Sequence, residues 1–177
     1  VSITDKTLSN YLTALRRLFI IEDVKAWQPS LRSRTGIRTS DKRHFVDTSI
    51  ASAILELNPK SALEDFELFG FLFEDFCLRD IRVYTELLRG SVYHYHDNSN
   101  LEADLIIRLH DGRWAAIEVK TGSKEIEEAA ENLITLSNEV NTSKIGSPSF
   151  LMVLTAGQYA YRRKDGVYVV PIGCLKP

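Results

Sequence analysis

Asp104, Glu118 and Lys120 lie in two stretches whose alternating residues predict neighbouring β-strands. Residues two apart in a strand share a face, so Glu118 and Lys120 point the same way. Carboxylate oxygens suit Mg²⁺ or Mn²⁺, and such an ion activates a bound water and offsets charge that builds on a phosphate. A lysine beside the ion orients the water or stabilises the transition state. These residue types predict metal-assisted phosphodiester hydrolysis, with Asp104 and Glu118 as metal ligands.

The register of the hairpin decides whether the two acids meet. A two-residue turn would place Asp104 opposite Val119 and mix apolar with polar faces, which a half-buried sheet resists. A three-residue loop, with Gly112 in the left-handed conformation, places Asp104 opposite Glu118 and merges the apolar faces. Carboxylates whose Cβ atoms lie roughly 5 Å apart repel each other unless a cation or a proton lies between them. We therefore predict the second register.

The same pattern has a simpler interpretation. Glu and Lys are so common that one Glu-x-Lys is expected about once in a chain of this size. A solvated sheet face also carries acids and bases without any catalytic role. The matched register, a long helix before the hairpin and a helix directly after it favour the catalytic interpretation.

The elements that position the hairpin begin near residue 62. Apolar and aromatic residues first recur there at helical spacing, in a stripe that belongs to the core. The predicted elements are a helix at 66–88, strands at 91–96, 102–109 and 114–120, a helix at 125–140 capped by Ser123, and strands at 150–154 and 167–170.

The first 61 residues predict a smaller unit. Its predicted elements are a helix at 5–19 with Thr4 as its N-cap, a strand at 20–27, a polar loop through residue 40, a strand at 44–46, and a helix at 49–57 ended by Pro59. Helix, strand, long loop, strand and helix is the order expected of a winged-helix fragment.

A basic stripe runs from Lys25 to His44, with six Lys and Arg against one acid, although the whole chain has a net charge of −2. The residues of this stripe that we expect to contact nucleic acid are Arg32, Arg34, Arg38, Lys42 and Arg43. Such a stripe indicates a surface for phosphate. A solvated loop explains it equally well, and both interpretations stay open.

The remaining features limit the class of protein. No apolar run approaches the roughly 18 residues of a membrane span, and no signal peptide is visible. Cys77 and Cys174 lack metal-ligand spacing, so we expect free thiols and a cytoplasmic protein. The start at Val1 suggests a chain cut from something longer. No Ser/His/Asp or Cys/His arrangement indicates a nucleophilic enzyme.

Asp104, followed by Glu118-Val119-Lys120 and preceded by a helix that bears Glu74, resembles the PD-(D/E)XK nuclease superfamily. More closely, the chain resembles the uncharacterised domain at the C-terminal end of many bacterial and archaeal AAA-type ATPases. In that family a winged-helix-like segment precedes a restriction-endonuclease-like core. The stretches that carry the resemblance are residues 7–27, 42–48, 71–80, 102–104, 117–120 and 167–171.

The resemblance implies an α+β or α/β fold, with a winged-helix-like segment at 1–61 and a nuclease-like domain at 62–177. The core is expected to be a mixed sheet flanked by helices. Glu74 falls where the first core helix of the family supplies an acid towards the metal; a solvated helix position is its alternative. The expected catalytic residues are then Glu74, Asp104, Glu118 and Lys120, with Mg²⁺ or Mn²⁺ bound by the three acids.

Two functions follow from these expectations. The first is a metal-dependent nuclease of DNA or RNA, with DNA as the expected substrate and an ATPase domain upstream in the intact protein. The second is a non-cleaving module that binds nucleic acid or a protein partner. The intact acids and lysine favour the nuclease. Outside the basic stripe the chain is acidic, which favours the binding module, because a nuclease that cleaves double-stranded DNA needs positive charge around its cleft.

Overall fold

The computed structural model describes residues 3–32 and 35–176. Its helices are α1 (Asp5–Arg17), α2 (Thr48–Ile54), α3 (Pro59–Glu64), α4 (Phe66–Leu87), α5 (Ile126–Glu139) and α6 (Thr142–Ile145). Its strands are β1 (Ile21–Val24), β2 (Lys42–Phe45), β3 (Gly90–His96), β4 (Glu102–Leu109), β5 (Trp114–Lys120), β6 (Leu151–Thr155), β7 (Tyr161–Arg162) and β8 (Tyr168–Pro171). Short 3₁₀ helices occur at Ser123–Glu125 and Ile172–Cys174.

The larger sheet has six strands in the order β3-β4-β5-β6-β8-β7. The β5–β6 and β6–β8 pairs are parallel, and the other pairs are antiparallel. A parallel connection requires a crossover, and α5 supplies it between β5 and β6. The prediction of a mixed sheet flanked by helices is confirmed, and the protein is of mixed α and β type.

Helix α4 covers one face of this sheet. Its buried stripe has helical spacing and consists of Phe73, Cys77, Leu78, Ile81 and Thr85. The first four of these side chains pack with Leu105, Ile117 and Val119 of the hairpin in one hydrophobic cluster, the α4-side cluster. Full burial of a Leu or Ile side chain stabilises the fold by ~1.5–3 kcal/mol, so this cluster fixes the long helix over the strands that carry the predicted site.

Helix α5 covers the opposite face. Ala129, Leu133 and Leu136 are fully buried and lie in one cluster, the α5-side cluster, with Trp114 and Ala116 of β5. The predicted cap is wrong, because Ser123 begins a 3₁₀ helix and no side chain caps α5. The half-buried sheet assumed in the register argument is also wrong, because β5 is buried on both faces. The crossover helix buries the second face, as parallel strand connections generally require.

The predicted hairpin register is confirmed. Arg108 pairs with Trp114 and Leu105 pairs with Ile117, so the pairing follows the three-residue loop. Gly112 has φ of +90°, the left-handed region that glycine adopts without a side-chain clash. The predicted bounds of both hairpin strands are also those of β4 and β5.

In the N-terminal segment, β1 and β2 form a separate antiparallel ribbon in which Ile21 pairs with Phe45. Thr4 caps α1, as predicted. Pro59 does not follow α2 directly; it begins α3, where the Asn58 side chain accepts hydrogen bonds from the first turn. The predicted order of helix, strand, loop, strand and helix is observed, whereas the winged-helix assignment stays a prediction.

The segment between β1 and β2 packs on the larger sheet. The Trp27 backbone N–H donates to the carbonyl of His94 at 2.7 Å, and the Arg38 N–H donates to that of His96 at 2.8 Å. The rings of Trp27 and Trp114 lie 4.8 Å apart. The basic stripe is therefore attached to β3 at several points.

Both cysteines are free, with Cys77 buried and Cys174 exposed. Within the described part of the chain, no helix combines the length and the apolar character that a membrane crossing needs.

Candidate active site

Four charged side chains from three elements meet beside the hairpin. Glu74 comes from α4, Asp104 from β4, and Glu118 and Lys120 from β5. Lys120 Nζ lies 3.3 Å from Glu118 Oε2. A fifth side chain, Lys42 of β2, places its Nζ 2.5 Å from Glu74 Oε1 and 3.6 Å from Asp104 Oδ1. The structure thus brings together all four predicted catalytic residues, and their roles stay predictions.

The backbone of the hairpin orients Asp104. Its Oδ2 accepts a hydrogen bond from the Val119 N–H at 2.8 Å. The β3–β4 register shifts between Tyr93 and Tyr95, at the level of Asp104. Ala103 consequently lies in the α5-side cluster, whereas Leu105 lies in the α4-side cluster. Strict alternation would place both side chains on the same face of the sheet. Such an irregularity changes the direction of a side chain, and here it occurs where Asp104 points towards Glu74 and Glu118.

Glu118 is the most strongly perturbed group of the site. It is only 1% exposed, and no described residue forms a hydrogen bond with its Oε1. Burial, followed by the negative charge of Asp104, raises the pKa of Glu118 to about 9. A buried carboxylate without a full set of partners is costly, so Glu118 retains a proton at neutral pH unless a cation joins it.

The two lysines balance part of this negative charge. Burial alone would lower the pKa of Lys42, but Glu74 and Asp104 outweigh it and raise that pKa to about 12. Burial would also lower the pKa of Lys120, but Glu118 and then Asp104 outweigh it and raise that pKa. The pKa of Glu74 is raised, first by burial and then by Asp104, although Lys42 opposes the shift. The site is therefore a coupled set of acids with two bound ammonium groups.

A cleft of ≈ 380 Å³ opens beside these side chains. Its charged lining residues include Lys42, Glu74, Glu102, Asp104 and Lys120. A cavity of this volume holds a small polar ligand. The Lys120 side chain is 30% exposed, so its ammonium can contact a group that enters from solvent.

The donor set fits a divalent cation through two carboxylates. Among residues 3–32 and 35–176, no three His, Cys, Asp or Glu side chains are arranged as a metal site. Lys42 forms an ion pair with Glu74, so Asp104 and Glu118 remain as ligands. Of their oxygens, Glu118 Oε1 has no hydrogen-bond partner among the described residues. Mg²⁺ commonly binds through one or two carboxylates and keeps water in its other positions. The two acids therefore suffice for Mg²⁺ or Mn²⁺, whereas a three-acid site requires Glu74 to leave Lys42.

The described residues of the basic stripe that are predicted to contact phosphate each interact with a different part of the protein. The Arg32 guanidinium donates to Thr142 Oγ1 at 2.7 Å, and that of Arg38 donates to Asn100 Oδ1 at 2.7 Å. Arg43 Nε lies 3.4 Å from Asp23 Oδ1, and Lys42 contacts the acids described above. Arg34 lies outside the described residues. Contact of these residues with phosphate stays a prediction.

The sequence interpretation missed the pair formed by His44 and Asp75. His44 Nδ1 lies 2.6 Å from Asp75 Oδ1, and the Phe45 N–H donates to Asp75 Oδ2 at 3.1 Å. The buried Nε2 of His44 has no hydrogen-bond partner within the described ranges. The sequence signal for this pair was the alternation of Lys42 and His44 along β2. These two side chains meet the consecutive acids Glu74 and Asp75 of α4.

The fold and the site define a mixed α and β protein in which a buried glutamate lies beside a partly buried aspartate and a lysine. Residues 69–175 match the family described as a domain of unknown function (DUF4143), and the chain belongs to this family because the match spans more than half of it. Residues 1–61 match a second domain of unknown function (DUF8612). Neither match names a nuclease. No curated protein and no solved structure matches this chain.

Proposed function

We propose that the protein is a divalent-metal-dependent nuclease that hydrolyses phosphodiester bonds in DNA or RNA. The observation that carries the proposal is the burial of Glu118 beside Asp104 with Oε1 unpartnered. A carboxylate in such a place is stabilised when a cation completes its coordination. Structural stabilisation alone would be served better by apolar side chains, so the acid pair supports a ligand-binding role.

In this proposal Asp104 and Glu118 hold Mg²⁺ or Mn²⁺. The ion, when bound, activates a water and offsets charge on the phosphate. Lys120, at 3.3 Å from Glu118 and partly exposed, holds a phosphate oxygen in place and stabilises the charge that develops on it. Glu74 acts as a third acid once Lys42 no longer occupies it.

The wider assignments belong to the same proposal and rest on the resemblance described above. They are a restriction-endonuclease-like core at 62–177, a winged-helix-like segment at 1–61, an AAA-type ATPase domain upstream, and DNA as the substrate. The basic stripe would supply positive charge for the nucleic acid.

A non-cleaving binding module is the second candidate, and one observation favours it. Lys42 Nζ, at 2.5 Å from Glu74, fills part of the acid cluster with a fixed positive charge. A site permanently neutralised in this way would hold the domain together without binding metal, and the domain would bind nucleic acid or the ATPase without cutting.

The test is cleavage of end-labelled duplex DNA, single-stranded DNA and single-stranded RNA with Mn²⁺ or Mg²⁺. We expect metal-dependent cleavage by the parent, and a loss of at least about 100-fold in Asp104→Ala and Glu118→Gln, because each removes a metal ligand. Glu131→Ala, which removes an exposed acid of α5, is the matched control and keeps parental activity. Cleavage that persists in Asp104→Ala, or a metal-bound parent that cuts none of the three substrates, would overturn the proposal; the latter favours the binding module.

A further inference from the structure

Lys42 is unusual because it reaches a site built by a different part of the chain. It begins β2 of the small ribbon, within the segment that matches the second family. Its ammonium contacts Glu74 of α4 at 2.5 Å and lies 3.6 Å from Asp104 of β4. Both acids lie in the stretch that defines the DUF4143 match. A cation from the N-terminal segment thus lies between two acids of the sheet domain.

The ammonium and a divalent ion need the same oxygens. Asp104 faces Lys42 through Oδ1 and the hairpin backbone through Oδ2. A metal ion at Asp104 would lie within a few ångströms of the ammonium and be repelled by it, since like charges at such short range interact strongly in a partly buried site. Neither lysine forms a hydrogen bond with Glu118 Oε1, which has no such partner among the described residues.

Rotation of side-chain bonds would be enough to release Lys42 from the site. Its side chain is 39% exposed, and its four-carbon stem reaches solvent by rotation of side-chain bonds. The adjacent Arg43 contacts Asp23 of β1, so the ribbon keeps its own ion pair when Lys42 moves. A phosphate or an acidic partner at the cleft mouth would attract the freed ammonium.

We infer that Lys42 is an internal counter-cation that occupies the acid cluster until a divalent ion displaces it, so that the N-terminal segment regulates metal binding. The inference rests on the proposed function and adds its regulation. Any partner that draws Lys42 away from Glu74 raises the affinity for metal, and any movement of β2 that fixes Lys42 there lowers it.

The test is calorimetric titration with Mn²⁺ in the absence of nucleic acid. Lys42→Met removes the charge and keeps most of the stem, and we expect it to bind Mn²⁺ about tenfold more tightly than the parent, because a competing charge has left a partly exposed site. Lys42→Gln, whose side-chain amide keeps a hydrogen-bond donor without the charge, is expected to show the same gain and covers the case in which the methionine variant fails to fold. Lys60→Met removes an equal charge from an exposed position of α3, in the same N-terminal segment, and is expected to bind Mn²⁺ as the parent does.

The outcomes separate this inference from the proposed function. Equal or weaker binding by both Lys42 variants overturns the inference, as does an equal gain in Lys60→Met, which would reflect net charge alone. The proposed function survives those results if Asp104→Ala abolishes binding. Binding that Asp104→Ala leaves unchanged, in the parent and in the Lys42 variants, overturns the proposed function. Binding seen only after Lys42 is replaced supports both.

Discussion

Glu118 shows how a single residue couples the stability of the protein to its site. Its side chain is buried, and the pKa of about 9 means that the folded state holds a proton that the unfolded state releases near pH 4.5. A group whose folded pKa is raised contributes stability that is complete below the unfolded pKa and is lost as pH rises through the folded pKa. For Glu118 the window of loss therefore runs from about pH 4.5 to about pH 9.

Glu118→Gln should stabilise the metal-free protein at alkaline pH, because the amide keeps the shape of the protonated acid and cannot ionise. With chelator present at pH 8.5, we expect a thermal midpoint at least about 3 °C above the parent, which corresponds to about 1 kcal/mol for a chain of this size. The difference should shrink towards pH 5. His94 and Glu74 also have shifted pKa values, but they are common to both proteins, so calorimetry of the two isolates Glu118. Parallel pH profiles would contradict its protonated state.

At the scale of elements, the hairpin was predictable and the surroundings of its residues were not. Alternation in Glu102–Leu109 and Trp114–Lys120, with a glycine in the loop, selects one register from local chemistry alone. Burial of both faces depends on where α4 and α5 pack, which alternation within a strand does not encode. The irregularity near Asp104 likewise depends on β3, a partner that the hairpin pattern does not contain.

Gly112→Ala tests the loop that sets this register. A Cβ at Gly112 would meet no atom within 4 Å, so any loss comes from the φ of +90° and not from a clash. We expect a loss of about 1 kcal/mol in the free energy of unfolding, measured by urea denaturation. Gly112→Asn, whose side chain tolerates left-handed backbone, should lose less. An alanine variant as stable as the parent would mean that the loop does not constrain the hairpin.

At the scale of the whole molecule, the N-terminal segment is part of the structure that surrounds the site. Val24 lies in the α4-side cluster and Trp27 in the α5-side cluster, while Lys42 contacts the acids. The sequence predicts units at 1–61 and 62–177 from local patterns. Contacts across that boundary join residues far apart in the chain, so local periodicity could not reveal them. The contact of Lys42 with Glu74 and the pair of His44 with Asp75 are two such contacts.

We propose that Asp104 and Glu118 together hold a divalent cation, and anomalous scattering would locate such an ion directly. Crystals of the parent soaked in Mn²⁺ and measured at the manganese edge should show a peak within about 2.0–2.3 Å of carboxylate oxygens from both residues. Crystals of Glu118→Gln soaked in the same way should lack it. A peak at another position, or none at Mn²⁺ concentrations that saturate the protein in solution, would contradict a metal site at Asp104 and Glu118.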